Sequence, residues 1–330
     1  MRVIIYGAGG IGGVIGAQLF KADHEVVLIA RGPHLDRMKR NGLRYQTPHG
    51  TETLPLAAVG HPSEIDFQDE DVVLLTMKAQ HTLDALITLR DVAGEDVPVV
   101  CGQNGVANER MALRRFRHVY GMLVYLPSTF LEPGTIQTTS AKTIGILDTG
   151  LYPKGIDARV ETLMAMLESA NFSARPTTDI MRWKYGKLLI NLGNALNALC
   201  PRDGEEAPVR QRLRAECRAV YAAASIDYTA EDEITARRGD LMKAGKIDGV
   251  GRQGDSSWQG LMRGNRDIEA DYLNGEIVLL GRTHGIPTPA NAVVLRLANE
   301  MAREGIAPQS MSAADLLARI EAETDQTPGP

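Results

Sequence analysis

The sequence predicts an α/β protein of two domains: a doubly wound parallel-sheet domain over residues 1–178, followed by an all-helical domain over 179–330. Three observations predict it. At 330 residues the chain exceeds one ordinary domain. Up to about residue 175, short continuous apolar runs alternate with amphipathic stretches, as in parallel strands covered on both faces and joined by helical crossovers. From about residue 178 the strand signals vanish and helical periodicity remains.

Taken in order, residues 3–6 form a first strand, a glycine-rich turn follows, and residues 11–21 read as a helix. Residues 26–30, 71–77 (DVVLLTM), 97–101 (VPVVC) and 119–124 are further buried strands, with an amphipathic segment at 80–89. Helices are expected at 180–199, 206–226, 230–244, 257–263, 267–284 and 289–303. Pro33, Pro127, Pro133, Pro201, Pro287 and Pro289 fall between these elements or at their starts, as helix breakers should. The end, 325–330 (DQTPGP), has the composition of a mobile tail.

Composition excludes several functions. The chain is 44% hydrophobic and 23% charged, enough for real cores. A net charge of −5 argues against a phosphate-backbone partner. The densest basic runs, at 37–40 and 114–117, fit solvated helix faces. Cys101, Cys200 and Cys217 form no C-x-x-C pair and read as free buried thiols in a reducing compartment. The N-terminus enters a strand directly, without a signal-peptide pattern, and no apolar run reaches membrane-spanning length, so a cytoplasmic location is expected. The seven histidines show no H-x-x-x-H or H-E-x-x-H spacing, so no metal is expected, and there is no G-x-S-x-G nucleophile elbow.

The first motif is G-x-G-x-x-G at Gly7, Gly9 and Gly12, with Gly10 and Ile11 between them. It follows a strand and opens a helix, the context dinucleotide binding needs. Gly7 permits the tight turn, Gly9 lets backbone approach the pyrophosphate, and Gly12 lets helix pack on strand, so a Rossmann-type domain is expected. At the end of the second strand, where NAD enzymes place an acid, stands Arg31. A carboxylate there repels a 2′-phosphate whereas an arginine pairs with it, so NADP(H) is expected; the alternative is a solvated surface arginine. Lys78 and Asn104 (in Gln103-Asn104-Gly105) sit at later strand ends, where such sheets bind ligands. A solvated lysine and a turn asparagine are the plainer readings.

The helix at 180–199, with Asp179 as candidate N-cap, is apolar nearly all round in LLINLGNALNAL yet carries Asn191, Asn194 and Asn197. Lys187, Asn191 and Asn194 share one face at i, i+4 and i+7, beside the apolar stripe Leu188, Leu192, Ala195 and Leu199. Polar groups on such a helix need a protein partner or a ligand. Lys187 is the candidate acid, because an ammonium stabilises and protonates the oxygen that gains charge as a ketone is reduced. Lys184 lies almost on the same face and competes for the role. Ser257 is a candidate carboxylate binder or a helix N-cap. Glu269 is a candidate site acid or a helix N-terminal charge favoured by the dipole.

Together these features resemble the ketopantoate reductase (2-dehydropantoate 2-reductase) family. The carrying segments are GAGGIG at 7–12, Arg31, Lys78, QNG at 103–105, WKYGKLLIN at 183–191, SSW at 256–258, IEADYLNGE at 268–276 and HGIPTPAN at 284–291. The resemblance implies a Rossmann domain plus a helical domain, with the active site in the cleft between them. It implies reduction of a 2-oxo acid by NADPH to a 2-hydroxy acid, as of 2-dehydropantoate to pantoate in pantothenate biosynthesis. By implication Lys187 protonates the oxygen, Ser257 holds the carboxylate, Glu269 positions the hydroxyl end, and Asn104 and Lys78 serve from the nucleotide domain. Asn191 and Asn194 are then substrate contacts. The expected partner is a small 2-oxo acid, not nucleic acid or membrane, and a homodimer is left open. Four departures bear on the substrate: Gly254 stands where the group often has Asn, Trp258 replaces Met, Ala195 takes the place of a second Asn, and 121–130 (GMLVYLPSTF) lacks a Thr-rich stretch. The alternative readings are a 3-hydroxyacid or opine-type NADP dehydrogenase, and a non-catalytic NADPH sensor.

Overall fold

The computed structural model describes residues 1–247 and 254–326. In chain order the elements are β1 (Arg2–Tyr6), α1 (Gly10–Lys21), β2 (Val26–Ile29), α2 (Gly32–Asn41), β3 (Leu43–Thr47), β4 (Gly50–Leu54), β5 (Ala57–Val59), β6 (Asp71–Leu75), α3 (Thr82–Ala93), β7 (Val99–Cys101), α4 (Asn108–Leu113), β8 (Val119–Tyr125), β9 (Ser128–Thr129), β10 (Thr135–Thr138), β11 (Ile146–Leu151) and α5 (Ala158–Ser169). There follow α6 (Ile180–Asn191), α7 (Gly193–Leu199), α8 (Ala207–Ala223), α9 (Glu231–Arg238), α10 (Ser256–Met262), α11 (Asn274–His284), α12 (Pro289–Glu304) and α13 (Ala313–Gln326).

Seven strands form one sheet in the order β11-β8-β7-β6-β1-β2-β5, parallel except that β11 runs antiparallel to β8. Its apolar runs serve two faces, because successive side chains alternate sides. Val3 and Ile5, Val72 and Leu74, and Val100 enter one core with Val14, Ile15, Leu163 and Leu167. Ile4, Val73 and Leu75, Val99 and Cys101 enter the opposite core with Leu86, Leu89 and Phe116. Helices therefore cover both faces, as the continuous apolar strands require. The chain order reverses at β1, from which β2 lies to one side and β6 to the other, and the carboxyl ends of these strands carry the glycine loop and Thr76–Lys78. Such a switch point is where open α/β sheets bind ligands.

A second sheet, β4-β3-β10-β9, is not expected from the sequence. Its strands are short and polar; β4 (GTETL) buries only Leu54. It packs on α1, where a Cβ at Gly13 would stand 3.0 Å from Ile136 and Gln18 Nε2 donates to the Tyr45 hydroxyl at 2.7 Å.

The chain packs as two compact units, Met1–Lys184 with Ala230–Gly251, and Tyr185–Thr229 with Arg252–Pro330. The boundary expected at 178/179 thus precedes the change of unit, and one later segment returns to the first. Two ion pairs bring α9 back there: Arg182 donates to both Glu233 oxygens (2.8 and 2.7 Å), and Arg237 makes a bidentate pair with Asp148 (2.7 and 2.6 Å). The arginine holds the exposed Glu233 carboxyl down at about 2. In the second unit the described elements are all helical. Leu188, Leu192, Ala195 and Leu199 are buried there, and so are all three cysteines of the chain in their respective units.

Three expected helices and the expected tail differ. The stretch 180–199 is interrupted at Leu192, between α6 and α7. The stretch 230–244 is helical only over α9, which ends at Gly239 with φ +41. The stretch 267–284 divides into a 3-10 turn, Glu269–Tyr272, and α11, with Leu273 at φ −115 and ψ −84 between them. The expected tail begins too early, because α13 continues to Gln326; residues 327–330 lie outside the described residues.

Candidate active site

The glycine loop is determined by what surrounds it. Gly7 has φ +109, and a Cβ there would lie 2.6 Å from the Met77 backbone nitrogen. A Cβ at Gly12 would lie 2.5 Å from the Gly7 carbonyl oxygen and against Thr76 Oγ1, which itself donates to that carbonyl at 2.8 Å. Gly10 is close to Ser128 Oγ, 2.9 Å from its would-be Cβ. Gly9 differs: the nearest atom to its would-be Cβ is Phe130 Cδ1 at 3.9 Å. Protein packing therefore explains the glycines at 7, 10 and 12, whereas the bare backbone at 9 leaves open space at the N-terminus of a twelve-residue helix, α1, which has no side-chain cap and no acid in its first turn. A pyrophosphate fits that arrangement.

His34 is a loop-holding residue that the sequence did not single out. It is buried in α2, three residues after Arg31; Gly134 N–H donates to its Nδ1 at 2.8 Å, which puts the proton on Nε2, and Nε2 donates to the Ala8 carbonyl at 2.7 Å. The ring packs on Phe130 with centroids 4.5 Å apart. Burial pushes its pKa below the usual 6.5. Between that lowered value and 6.5 the unfolded chain binds the proton more readily, so this contribution to stability is complete above 6.5 and is lost as pH falls through the native value. Protonation also removes the acceptor for Gly134. The expected result is that the denaturation midpoint of the protein falls more between pH 7 and 5 than that of His34→Phe, which starts lower by roughly 1 kcal/mol per lost hydrogen bond. Parallel pH curves for the two proteins would remove His34 from this role.

Arg31 is exposed at the N-cap of α2, just past β2. Lys78 is half-buried beyond β6, and Asn104 half-buried beyond β7. The Asn104 loop is held by buried groups: Gln103 Nε2 donates to Thr82 Oγ1 at 3.0 Å, Thr82 Oγ1 to Asn108 Oδ1 at 2.8 Å, and Asn108 Nδ2 to the Asn104 carbonyl at 3.1 Å.

The two lysines of α6 have different surroundings. Lys184 is 4% exposed and pairs with Glu109, which is fully buried. It also donates to the carbonyls of Cys101 (3.3 Å) and Gln103 (3.1 Å). An ammonium has three protons, and all three are used. Lys187, one turn further along the helix, is only half-buried. Asn191, one turn further again, is 6% exposed, and its Nδ2 has no hydrogen-bond partner among the described residues. Asn194 is half-buried at the start of α7. Asn197, by contrast, donates to Asp255 at 2.9 Å and accepts from Arg210 at 2.8 Å, a structural role. Asp179, the candidate N-cap, has its carboxylate 3.0 Å from Lys154.

The interruption at Leu192 is gripped by residues whose roles the sequence did not disclose. Asn274 donates to the Leu192 carbonyl (3.3 Å) and to Asn291 Oδ1 (3.0 Å). Asn291 Nδ2 donates to Glu216 at 2.7 Å, and Glu216 accepts the Ala290 and Asn291 N–H groups that open α12. Pro289 at the helix start marks that N-terminus, but nothing local marks its distant carboxylate cap.

Ser257 is buried in the first turn of α10, but it is not the cap: Asp255 accepts the Ser257 and Trp258 N–H groups, both at 3.1 Å. Glu269 opens a 3-10 turn rather than a long helix and is 3% exposed, which sets it apart from a solvated helix-end charge. Both α10 and this turn pack on α7. The unusual Gly254 and Trp258 form a matched pair, because a Cβ at 254 would stand 2.5 Å from the indole. Among the described residues no group of three His, Cys, Asp or Glu side chains is placed to hold a metal, and no helix is long and apolar enough to cross a membrane.

Residues 3–149 match the family model for ketopantoate reductase PanE/ApbA, and 179–302 match that for the ketopantoate reductase PanE/ApbA C terminal. The 2-dehydropantoate 2-reductase of Pyrococcus horikoshii is 26% identical over 299 residues, covering 90% of this chain and 96% of that protein. That of Archaeoglobus fulgidus is 28% identical over 305 residues, covering 90% and 96%. The crystal structure of a PanE/ApbA family ketopantoate reductase from Ralstonia eutropha JMP134 superposes with a TM-score of 0.76 at 29% identity, covering 92% of this chain and 99% of that one.

Proposed function

Because this chain belongs to the ketopantoate reductase family, we propose that it reduces 2-dehydropantoate to pantoate with NADPH. The observation that carries the reading is the contrast within α6: Lys184 is buried against Glu109 with every proton committed, whereas Lys187, one turn on, is only half-buried. When bound, NADPH supplies a hydride to the carbonyl carbon of the 2-oxo acid. Lys187 donates a proton to the carbonyl oxygen, which becomes the hydroxyl of the 2-hydroxy acid. Ser257 holds the carboxylate, and Glu269 accepts a hydrogen bond from the hydroxyl at the other end. Asn191, whose buried Nδ2 lacks a partner among the described residues, and Asn194 hold substrate polar atoms. Asn104 and Lys78 border the cofactor and the reacting end of the substrate. The backbone at Gly7, Gly9, Gly10, Ile11 and Gly12 receives the pyrophosphate. In this reading the protein works in the cytoplasm.

Arg31 supports NADPH over NADH, since it stands where the ribose 2′-position is read. A charge-assisted hydrogen bond is worth about 1.5–3 kcal/mol, so Arg31→Asp is expected to cut the NADPH-over-NADH preference in kcat/KM by about tenfold or more. An unchanged ratio would make Arg31 an ordinary surface residue. The Gly254–Trp258 pair beside Ser257 favours a test of substrate breadth. A panel of 2-oxo acids with different chain ends, each with NADPH, should show 2-dehydropantoate with the highest kcat/KM. A better substrate in the panel would transfer the reading to that 2-oxo acid.

A further inference from the structure

The Lys184 ammonium lies at the centre of a buried polar cluster, and stability alone explains it poorly. Taking a lysine and a carboxylate out of water is costly, and apolar residues of similar size often serve stability as well or better. Here Glu109 even keeps one oxygen, Oε2, without a hydrogen-bond partner among the described residues. What the cluster does achieve is local. Lys184 grips the carbonyls of Cys101 and Gln103, and Asn108 grips the carbonyl of Asn104. Both peptide carbonyls flanking the Asn104 side chain are thereby fixed, one from each side. The Gln103 side chain is anchored on Thr82, which donates in turn to Asn108. The loop that turns at Gly105, with φ +78, thus has its geometry set by buried side chains. Lys184 is also three residues, about 4.5 Å of helix rise, before Lys187 on α6.

We propose that Lys184 is a positioning residue: through the carbonyls of Cys101 and Gln103 it sets the place of the Asn104 amide while anchoring the start of the helix that carries Lys187. The proposal rests on the reading of Asn104 and Lys187 as site residues, and it has a readout that does not. In Lys184→Met, and in Lys184→Met/Glu109→Leu, which leaves no uncompensated buried charge, hydrogen exchange of the full-length protein without substrate should be at least about tenfold faster in the 102–107 segment, with β8 unchanged. Unaltered exchange at 102–107 in the folded double variant overturns the proposal, whether or not the protein reduces 2-dehydropantoate. In kinetics, misplacing a positioned group costs about 10²-fold, so kcat/KM should fall by that order in the double variant. Adding Asn104→Ala should then cost little more than Asn104→Ala costs alone. Full additivity of the two changes would show that Lys184 does not act through Asn104. Absence of turnover in the unmodified protein would instead reject the function, leaving the exchange result to decide the loop.

Discussion

Lys187→Ala is expected to lower kcat for 2-dehydropantoate reduction by about 10²- to 10⁴-fold, the usual contribution of a positioned general acid. NADPH affinity should stay within about twofold, because the removed group acts where charge develops in the reaction and not on the phosphates. The neighbouring lysine is not available for this role. Lys184 could protonate a substrate only by abandoning Glu109 and two backbone carbonyls inside the protein. Lys187 sits one turn away without that burial. If Lys187→Ala retained full kcat while Lys184→Met alone lost it, the roles assigned to the two lysines would have to be exchanged. Measuring kcat and NADPH affinity separately distinguishes loss of the acid from loss of the cofactor site.

Arg237→Met is expected to destabilise the protein by about 3–5 kcal/mol, since it leaves a buried carboxylate without its cation. Asp148 in β11 is 3% exposed on its side chain; it accepts two guanidinium hydrogen bonds from Arg237 and, among the described residues, keeps only the Arg175 N–H, 3.0 Å away, when these are lost. The double change Arg237→Met/Asp148→Leu should recover most of the loss, because the unpaired charge is gone. Denaturant unfolding measures both. A loss below about 1 kcal/mol for Arg237→Met would mean that the pair behaves like a surface ion pair and does not fasten α9.

The domain plan is only partly legible in the sequence. Strands β1, β6, β7 and β8 were visible because their apolar runs are continuous, and the helices because their period is strong. The return of α9 to the first unit was not, because it is specified by Arg182–Glu233 and Arg237–Asp148, partners 51 and 89 residues apart. The small sheet escaped because LRYQT and GTETL lack a two-residue apolar alternation strong enough to register. At the site, residue spacing placed Lys184 and Lys187 on nearly one face and could not separate them; burial against Glu109 does so. His34 carried no local signal, because its partners, the Ala8 carbonyl and the Gly134 N–H, are backbone groups 26 and 100 residues away. Ser257 looked like a cap because serine is a good one, but Asp255 two residues earlier takes that place and leaves the hydroxyl for another use.

The most direct measurement is the reaction itself: purified protein, NADPH and 2-dehydropantoate, with NADPH absorbance and pantoate followed together. One pantoate is expected for each NADPH consumed, at a rate that vanishes into the background with Lys187→Ala. NADPH bound to the protein but left unconsumed, with 2-dehydropantoate and with every other 2-oxo acid supplied, would contradict a reductase and leave a nucleotide-binding protein of different purpose.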